Sequence, residues 1–236
     1  MKAIAYYQSL PIDHPDALQD VQLAAPQPGP NDLLVEVKAI SVNPVDTKIR
    51  RNVQPDAGQA KVLGWDVAGV VTAVGDAVKQ FRPGDRVFYA GAIDRANSEL
   101  HVVDERIVGR MPGSLDFARA AALPLTAITA WELLFERLGV REGQGDGQSL
   151  LIVGAAGGVG SILVQLARQL TGLTVIGTAS RAETRDWVQA LGAHHVIDHS
   201  LPLSEELKRI GIGQVSHVAS LTHTDQHYAQ IIEALM

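Results

Sequence analysis

A run of small residues from 154 to 160, GAAGGVG, lies between an apolar segment and a helix-like pattern. Aligned with the pattern G-x-G-x-x-G, it places Ala155, Gly157 and Gly160 at the three glycine positions. In that pattern the first residue makes a tight turn, the second lets backbone approach a pyrophosphate, and the third lets the helix pack on the strand. N–H groups at the start of the helix would bind the phosphates. The run therefore predicts a dinucleotide site formed by Ala155, Ala156, Gly157, Gly158 and Val159, the alternative being a turn that serves only packing.

The end of the next predicted strand indicates which dinucleotide binds. NAD-binding sequences carry an acidic residue about 20 positions after the glycine pattern, where it binds the ribose 2′-hydroxyl. Here the segment TASR from 178 to 181 has no carboxylate, and Ser180 and Arg181 offer a hydroxyl and a guanidinium group that suit a 2′-phosphate. We therefore expect NADPH as the cofactor. Ser180 also fits a capping box with Glu183, so it could start a helix as well or instead.

The predicted secondary structure differs between the two parts of the chain. From Ser149 onward apolar strands alternate with helical patterns, and we expect strands at about 149–154, 173–177, 194–198 and 214–219, which predicts a parallel, doubly wound sheet. The earlier part of the chain has short strands bounded by Pro, Gly or Asn, such as MKAIAYY, DLLVEVKAI and DVAGVVTAV, which predicts a β-barrel or sandwich. We expect one domain over residues 1–120 and a second over 121–236.

The composition excludes several classes of protein. A net charge of −6 and a pI near 5.7 disfavour nucleic acid as a partner, because phosphate binding needs clustered Lys and Arg. The chain has no cysteine, which excludes disulfides and thiolate metal sites. The N-terminal segment MKAIAYYQSLPIDHPD has no apolar stretch of the length typical of a signal peptide, and the sequence has no apolar run of about 18 residues, so we expect no membrane partner and a cytoplasmic location.

Several segments together resemble the medium-chain dehydrogenase/reductase superfamily, especially its quinone-oxidoreductase branch. They are KAISVNPVDTKIR, LGWDVAGVVTAVG, FRPGDRV, ALPLTAITAWELL, VGAAGGVG and LGAHHVID. The stretch SLTHTDQHYAQIIEAL is also similar to the group called zinc-type alcohol dehydrogenase-like proteins. The resemblance implies an N-terminal GroES-like β-barrel domain, a Rossmann domain and an active site in the cleft between them. It also implies that full-length relatives are often homodimers.

Zinc-dependent members of this superfamily have a Cys where NPVD begins and a His-Glu pair after the Gly of GWD. This chain has Asn43, Trp65 and Asp66 at those positions, so we expect no catalytic zinc. We also expect surface or packing roles, not metal binding, for the other histidines that are close in sequence: His194, His195, His199, His223 and His227.

The expected absence of zinc limits the substrates that the protein could reduce. Without a Lewis acid, the charge that develops during hydride transfer must be delocalised within the substrate or stabilised by hydrogen-bond donors. Quinones and α,β-unsaturated carbonyls delocalise that charge, which predicts NADPH-dependent reduction of a small quinone or enone. The alternatives are a zinc-dependent alcohol dehydrogenase and a non-catalytic protein that binds NADPH or senses redox state.

The resemblance also implies roles for single residues. Asn43 would lie beside the nicotinamide, Thr129 would line the same pocket, and His199 would lie near the adenosine phosphate. Asp46 is the nearest carboxylate to that site and would either handle a proton or hold the NPVD loop through Asx-type bonds. Trp65 would form a substrate wall or pack, and Asp66 would give hydrogen-bonded support.

The number of predicted strands is smaller than a full dinucleotide-binding sheet requires. Such a sheet has six strands, and only four are predicted before the sequence ends in ALM. We therefore expect a Rossmann domain that is incomplete at its C-terminus, with an open sheet edge, weak NADPH binding and slow or no turnover.

Overall fold

The computed structural model describes residues 1–91 and 95–235 and contains two compact units, Met1–Leu125 and Thr126–Met236. The first unit is an antiparallel β domain. One of its sheets has the strand order β2-β1-β4, and the other has the order β7-β3-β5-β6-β8. The strands are β1 Lys2–Tyr6, β2 Gln19–Gln22, β3 Asp32–Ser41, β4 Lys61–Val62, β5 Asp66–Val74, β6 Arg86–Ala90, β7 Leu100–Asp104 and β8 Gly109–Arg110. The expected N-terminal β architecture is confirmed.

The pair β3 and β5 forms the centre of the larger sheet and ends at polar residues. Alternate residues point to one face, where Leu33, Val35, Val67 and Val71 are buried in one cluster. The register places Ser41, the last residue of β3, opposite Asp66, the first residue of β5. The antiparallel ladder therefore brings two polar side chains from distant parts of the sequence to one end of the sheet.

Helix α1, Pro44–Asn52, follows β3 directly, and α2 is Phe117–Ala121. The NPVD segment, which was interpreted as a loop, is the start of α1. Asn43 is its N-cap, Pro44 occupies the first turn, and the Asp46 carboxylate accepts the backbone N–H of Asn43 at 2.8 Å. These residue types are common at helix starts, because the side-chain oxygens of Asn and Asp can accept N–H groups that have no partner within the helix, and Pro has no N–H group that would need one.

Helix α3, Pro124–Trp131, continues into a π-helical segment, Glu132–Arg137. Trp131 and Phe135 pack against each other with ring centroids 4.6 Å apart. Pro124 is the first residue of α3, a position where proline is tolerated because its missing backbone N–H would have no partner within the helix.

The second unit contains a parallel sheet with the strand order β11-β10-β9-β12. Its strands are β9 Ser149–Val153, β10 Thr174–Thr178, β11 His195–Ile197 and β12 His217–Ser220. Its helices are α4 Gly158–Leu170, α5 Ala182–Ala190, α6 Leu203–Arg209 and α7 Thr224–Ala234. The four predicted strands and their parallel arrangement are confirmed. In the described part of the chain, no helix is both long and apolar enough to cross a membrane.

Strand β9 is buried along its whole length, as expected for a parallel strand with helices on both faces. Leu150 and Ile152 belong to the cluster that contains Leu163 and Val164 of α4. Leu151 and Val153 belong to a second cluster, which contains residues of α6 and α7. One short strand therefore supplies side chains to the cores on both faces of the sheet.

Candidate functional site

The glycine run forms the connection from β9 to α4. Gly154 has φ 86°, a left-handed conformation that glycine adopts without strain, and its N–H donates to Thr178 Oγ1 at 3.1 Å. The N–H of Gly157 donates back to the Gly154 carbonyl oxygen at 3.1 Å, which closes a tight turn. The residue that needs positive φ is thus Gly154, one position before Ala155. This explains why alanine stands at the first position of the glycine pattern.

The other residues of the run divide into buried and exposed positions. Ala155 is fully buried, and a Cβ at Gly160 would lie 2.4 Å from the Gly154 carbonyl oxygen, so Gly160 lets α4 pack against the turn. Gly157 and Gly158 are exposed, and Ala156 and Val159 are half-buried. Gly157 is the N-cap of α4, whose first N–H groups have no partner within the helix. This exposed helix start, where backbone can be approached closely, fits the phosphates of a dinucleotide.

Ser180 and Arg181 follow β10 and are both exposed. The carboxyl ends of parallel strands lie at one edge of a sheet, so these side chains are at the same edge as the turn after β9. The capping-box interpretation of Ser180 is wrong. Helix α5 begins at Ala182, its N-cap is Arg181, and no side-chain hydrogen bond caps it.

His199 follows β11 at the same edge and contacts a residue that is distant in sequence. Its ring makes an edge contact with His227 of α7, with centroids 6.1 Å apart, and the Nδ1 atoms of both rings are buried without a hydrogen-bond partner. Burial lowers the pKa of His199. His194, which is close to His199 in sequence, instead accepts the backbone N–H of Val175 at 2.8 Å through Nδ1.

Thr129 is exposed on α3. Another threonine of the same helix is close to the glycine run, since a Cβ at Gly158 would lie 3.2 Å from Thr126 Cγ2. Sequence reasoning missed Thr126. The three-residue interval between the two threonines, close to one turn of a helix, was the available signal.

The first unit has a buried polar cluster where β3, β5 and α1 meet. Asp66 is fully buried, and Asn43 and Asp46 are 6% and 4% exposed. Asn43 Nδ2 donates to Asp66 Oδ2 at 2.8 Å, Ser41 Oγ donates to the same oxygen at 3.2 Å, and the N–H of Leu125 donates to Asp66 Oδ1 at 2.9 Å. Asp46 Oδ1 is buried and has no hydrogen-bond partner.

Burial is the largest influence on both carboxyl groups of this cluster. It raises the pKa of Asp66, and the hydrogen bonds from Asn43, Leu125 and Ser41 oppose that rise. Burial also raises the pKa of Asp46, and backbone hydrogen bonds oppose it. The charge of Asp46 further raises the pKa of Asp66, so the two groups are electrostatically coupled.

The residues at the three positions where zinc-dependent members have ligands make other contacts in this structure. Asn43 directs its amide N–H₂ group at Asp66, and both Asp66 oxygens accept hydrogen bonds. Trp65 is half-buried, and its carbonyl oxygen accepts the N–H of Gly91 at 2.8 Å. Among the described residues, no group of three or more His, Cys, Asp or Glu side chains is arranged to hold a metal ion.

Comparison with known proteins gives matches along most of the chain. The family model described as alcohol dehydrogenase GroES-like domain matches residues 29–127, and the one described as zinc-binding dehydrogenase matches residues 158–236. A zinc-type alcohol dehydrogenase-like protein of Staphylococcus epidermidis is 39% identical over 236 residues, which cover 98% of this chain and 69% of that protein.

Solved structures of oxidoreductases are also similar to this chain. The "putative zinc-dependent alcohol dehydrogenase protein" of Rhizobium etli CFN 42 has a TM-score of 0.93 and 56% identity, covering 100% of this chain and 69% of the other. The Escherichia coli quinone oxidoreductase, solved with NADPH, has a TM-score of 0.83 and 32% identity, covering 100% of this chain and 70% of the other.

Proposed function

The chain belongs to the medium-chain dehydrogenase/reductase superfamily and is an oxidoreductase that uses a nicotinamide dinucleotide, and from that premise we propose that it transfers a hydride from NADPH to a small quinone or α,β-unsaturated carbonyl without catalytic zinc. The observation that carries this proposal is the Asn43–Asp66 hydrogen bond of 2.8 Å at positions where zinc-dependent members have metal ligands. Asn43 and Trp65 are not among the side chain types that bind zinc, and the carboxylate of Asp66 is already hydrogen-bonded to the Asn43 amide.

The second unit supplies the groups that would hold NADPH. The start of α4, with Gly157 and Gly158 exposed, would bind the pyrophosphate through backbone N–H groups. The exposed Ser180 and Arg181 would bind the 2′-phosphate, and His199 would lie near it. The bound cofactor supplies the hydride, while the protein binds and orients it.

The first unit supplies the polar groups proposed for the reacting end of the cofactor. Asn43 of this unit would contact the nicotinamide, and Thr129, a residue of the second unit, is proposed as a further contact of the cofactor. Asp46, whose pKa is raised by burial, is the carboxyl group that we propose either handles a proton or holds the start of α1. Trp65, which is half-buried, would form part of the substrate wall.

The substrate class follows from the proposed absence of a Lewis acid. A simple carbonyl compound needs a strong electrophile to accept a hydride, and zinc supplies one in metal-dependent enzymes. A quinone or enone spreads the developing charge over its conjugated system, so that fixed hydrogen-bond donors are sufficient. The relative from Escherichia coli, whose name describes a quinone oxidoreductase with NADPH, supports this class.

The test is steady-state oxidation of NADPH, with NADH in parallel, over a panel of quinones and enones, together with metal analysis of the same sample. We expect reduction of at least one compound with NADPH preferred, substoichiometric zinc and no effect of a chelator. One zinc per chain with chelator-sensitive alcohol oxidation would contradict the proposal. Cofactor binding with no turnover of any compound would instead favour a non-catalytic sensor.

A further inference from the structure

Asp66 accepts hydrogen bonds from three different segments of the first unit. The donors are Asn43 Nδ2 at 2.8 Å, Ser41 Oγ at 3.2 Å and the backbone N–H of Leu125 at 2.9 Å. They belong to the N-cap of α1, the last residue of β3 and the first turn of α3. Because Asp66 is fully buried, solvent cannot replace any of these donors without rearrangement of the backbone.

An ionised carboxylate can only accept hydrogen bonds, so Asp66 determines the orientation of the Asn43 amide. The N–H₂ group must face Asp66, and the carbonyl oxygen of the amide must therefore point away from Asp66. The backbone of Asn43 is held as well, because its N–H donates to Asp46 Oδ2 at 2.8 Å. The side chain is thus fixed in one of its two flipped states before any ligand binds.

Building on the function proposed above, we propose that Asp66 is a positioning residue, which fixes the Asn43 amide in the orientation that the cofactor and substrate meet and links it to the start of α3. Asp66 itself does not touch the reacting atoms. Its carboxylate holds the amide, and the hydrogen bond from the backbone N–H of Leu125 holds the first turn of α3 against the same carboxylate.

The variant Asp66→Asn tests the proposal with almost no change in shape. An amide at position 66 has one acceptor oxygen and one donor group, so it cannot accept from both Asn43 and Leu125 through two oxygens. The flipped state of Asn43 is then no longer dictated by its partner. The matched control is Asp116→Asn, because Asp116 also accepts a backbone N–H at a helix start, from Arg119 at 2.8 Å, but lies outside the cluster.

The first measurement uses the protein without cofactor and therefore does not depend on the proposed reaction. In ¹⁵N-labelled protein, the two side-chain N–H protons of Asn43 should resonate far apart and exchange slowly with solvent. In Asp66→Asn their exchange should quicken by about tenfold or more, as expected when one charge-assisted hydrogen bond is lost. Asp116→Asn should leave them unchanged. Unchanged Asn43 signals in Asp66→Asn would overturn the proposal.

The second measurement separates positioning from folding. With a quinone or enone that the parent reduces, kcat of Asp66→Asn should fall by about ten- to a hundredfold, because a small misplacement of a reacting group has costs of that order. The KM for NADPH should stay within about twofold, as for an interaction realised in the transition state. A kcat equal to that of the parent would overturn the proposal. If the parent reduces no compound, the proposed function fails, and the amide measurement still decides the role of Asp66.

If Asp66→Asn does not fold, the double variant Asn43→Asp with Asp66→Asn takes its place. It exchanges the carboxylate and the amide, so the hydrogen-bonded pair across α1 and β5 can form again. We expect a melting temperature close to that of the parent and a kcat that stays about tenfold or more lower, because the amide is absent from position 43. A double variant with the kcat of the parent would show that the reaction does not need the amide at position 43. That result would overturn the proposal.

Discussion

Gly160 and Gly157 differ in what an added methyl group would meet, and the difference separates folding from cofactor binding. At Gly160, a Cβ would lie 2.4 Å from the Gly154 carbonyl oxygen and 2.7 Å from Ala155 Cα. These are backbone atoms, so side-chain rotation cannot relieve the contacts and α4 would have to move. At Gly157, the nearest atom to a Cβ would be the Gly154 carbonyl oxygen at 3.4 Å, and φ is −73°. A methyl group there meets only ordinary contacts within the protein.

The two substitutions should therefore affect different properties: Gly160→Ala should lower the stability of the protein, and Gly157→Ala should weaken NADPH binding. For Gly160→Ala, a helix gain of about 1 kcal/mol opposes an overpacking cost of about 1–3 kcal/mol, and the backbone clash favours the upper end of that cost. We expect a net loss of about 1–2 kcal/mol in the free energy of unfolding. For Gly157→Ala, a small loss of N-cap preference offsets the lower entropy of the unfolded chain, so the free energy of unfolding should change by less than about 0.5 kcal/mol. NADPH binding should weaken by about 1.5–3 kcal/mol, because the methyl group lies where the phosphates must approach.

Urea unfolding followed by circular dichroism and calorimetric titration with NADPH measure the two quantities. The control is Gly213→Ala, which is in the same unit and has no other atom within 4 Å of its added Cβ, so it should change neither. A Gly157→Ala variant that binds NADPH as tightly as the parent would refute the assignment of the phosphates to this turn. A Gly160→Ala variant as stable as the parent would refute the packing argument.

Three further predictions rest on charged groups of the second unit. Arg181→Ala should weaken NADPH binding more than NADH binding, by about 1–3 kcal/mol; equal losses for the two cofactors in parallel titrations would contradict this. The ion pair with Arg209, at 2.7 Å, lowers the pKa of Glu206 to about 2. Its stabilisation is therefore present above the unfolded value near 4.5 and lost as pH falls toward 2. Glu206→Gln should lower the free energy of unfolding by about 1–2 kcal/mol at neutral pH and make that free energy less dependent on pH in the acid range. Urea unfolding of the parent and the variant between pH 7 and pH 3 measures this. Equal losses of stability in the two proteins would contradict the prediction. Burial lowers the pKa of His199, with the charges of His227 and His223 adding to the effect and Asp198 opposing it. The native protein therefore loses stability as pH falls below the unfolded value near 6.5, and His199→Asn should reduce that loss; melting temperatures that fall equally in both proteins between pH 7.5 and pH 5.5 would rule this out.

The elements that could be predicted were those with an apolar period. The strands of the second unit and the helix after the glycine run have long buried faces, which a sequence displays directly. Helix α1 escaped that criterion because Asp46 is its only buried residue, so it has no apolar face to display. Its signals were Asn43, Pro44 and the carboxylate of Asp46, which indicate a helix start when they are considered as a cap.

The sequence indicated candidate residues for the site, but it did not indicate which residues those candidates contact. The glycine run indicated a phosphate site, yet the position with positive φ, Gly154, emerged only from the backbone. Ser180 lies one residue too early to cap α5, an offset that sequence patterns do not resolve. The contacts of Asn43 with Asp66 and of His199 with His227 join residues that are far apart in sequence. They depend on strand register and helix packing, which no local motif encodes.

Strand β9, whose alternate side chains enter the cores on both faces of the sheet, gives the second unit a single cooperative centre. Loss of packing on one face withdraws support from the strand that the other face also needs, so the two faces should unfold together. Both edges of β9 are paired, with β10 and with β12. Its amide hydrogens should therefore exchange with solvent only through opening of the whole unit. The turn that begins at Gly154 directly follows β9, so one end of the turn is attached to a strand whose amide hydrogens should exchange slowly. The proposed phosphate site is therefore fixed to the part of the sheet that opens least often.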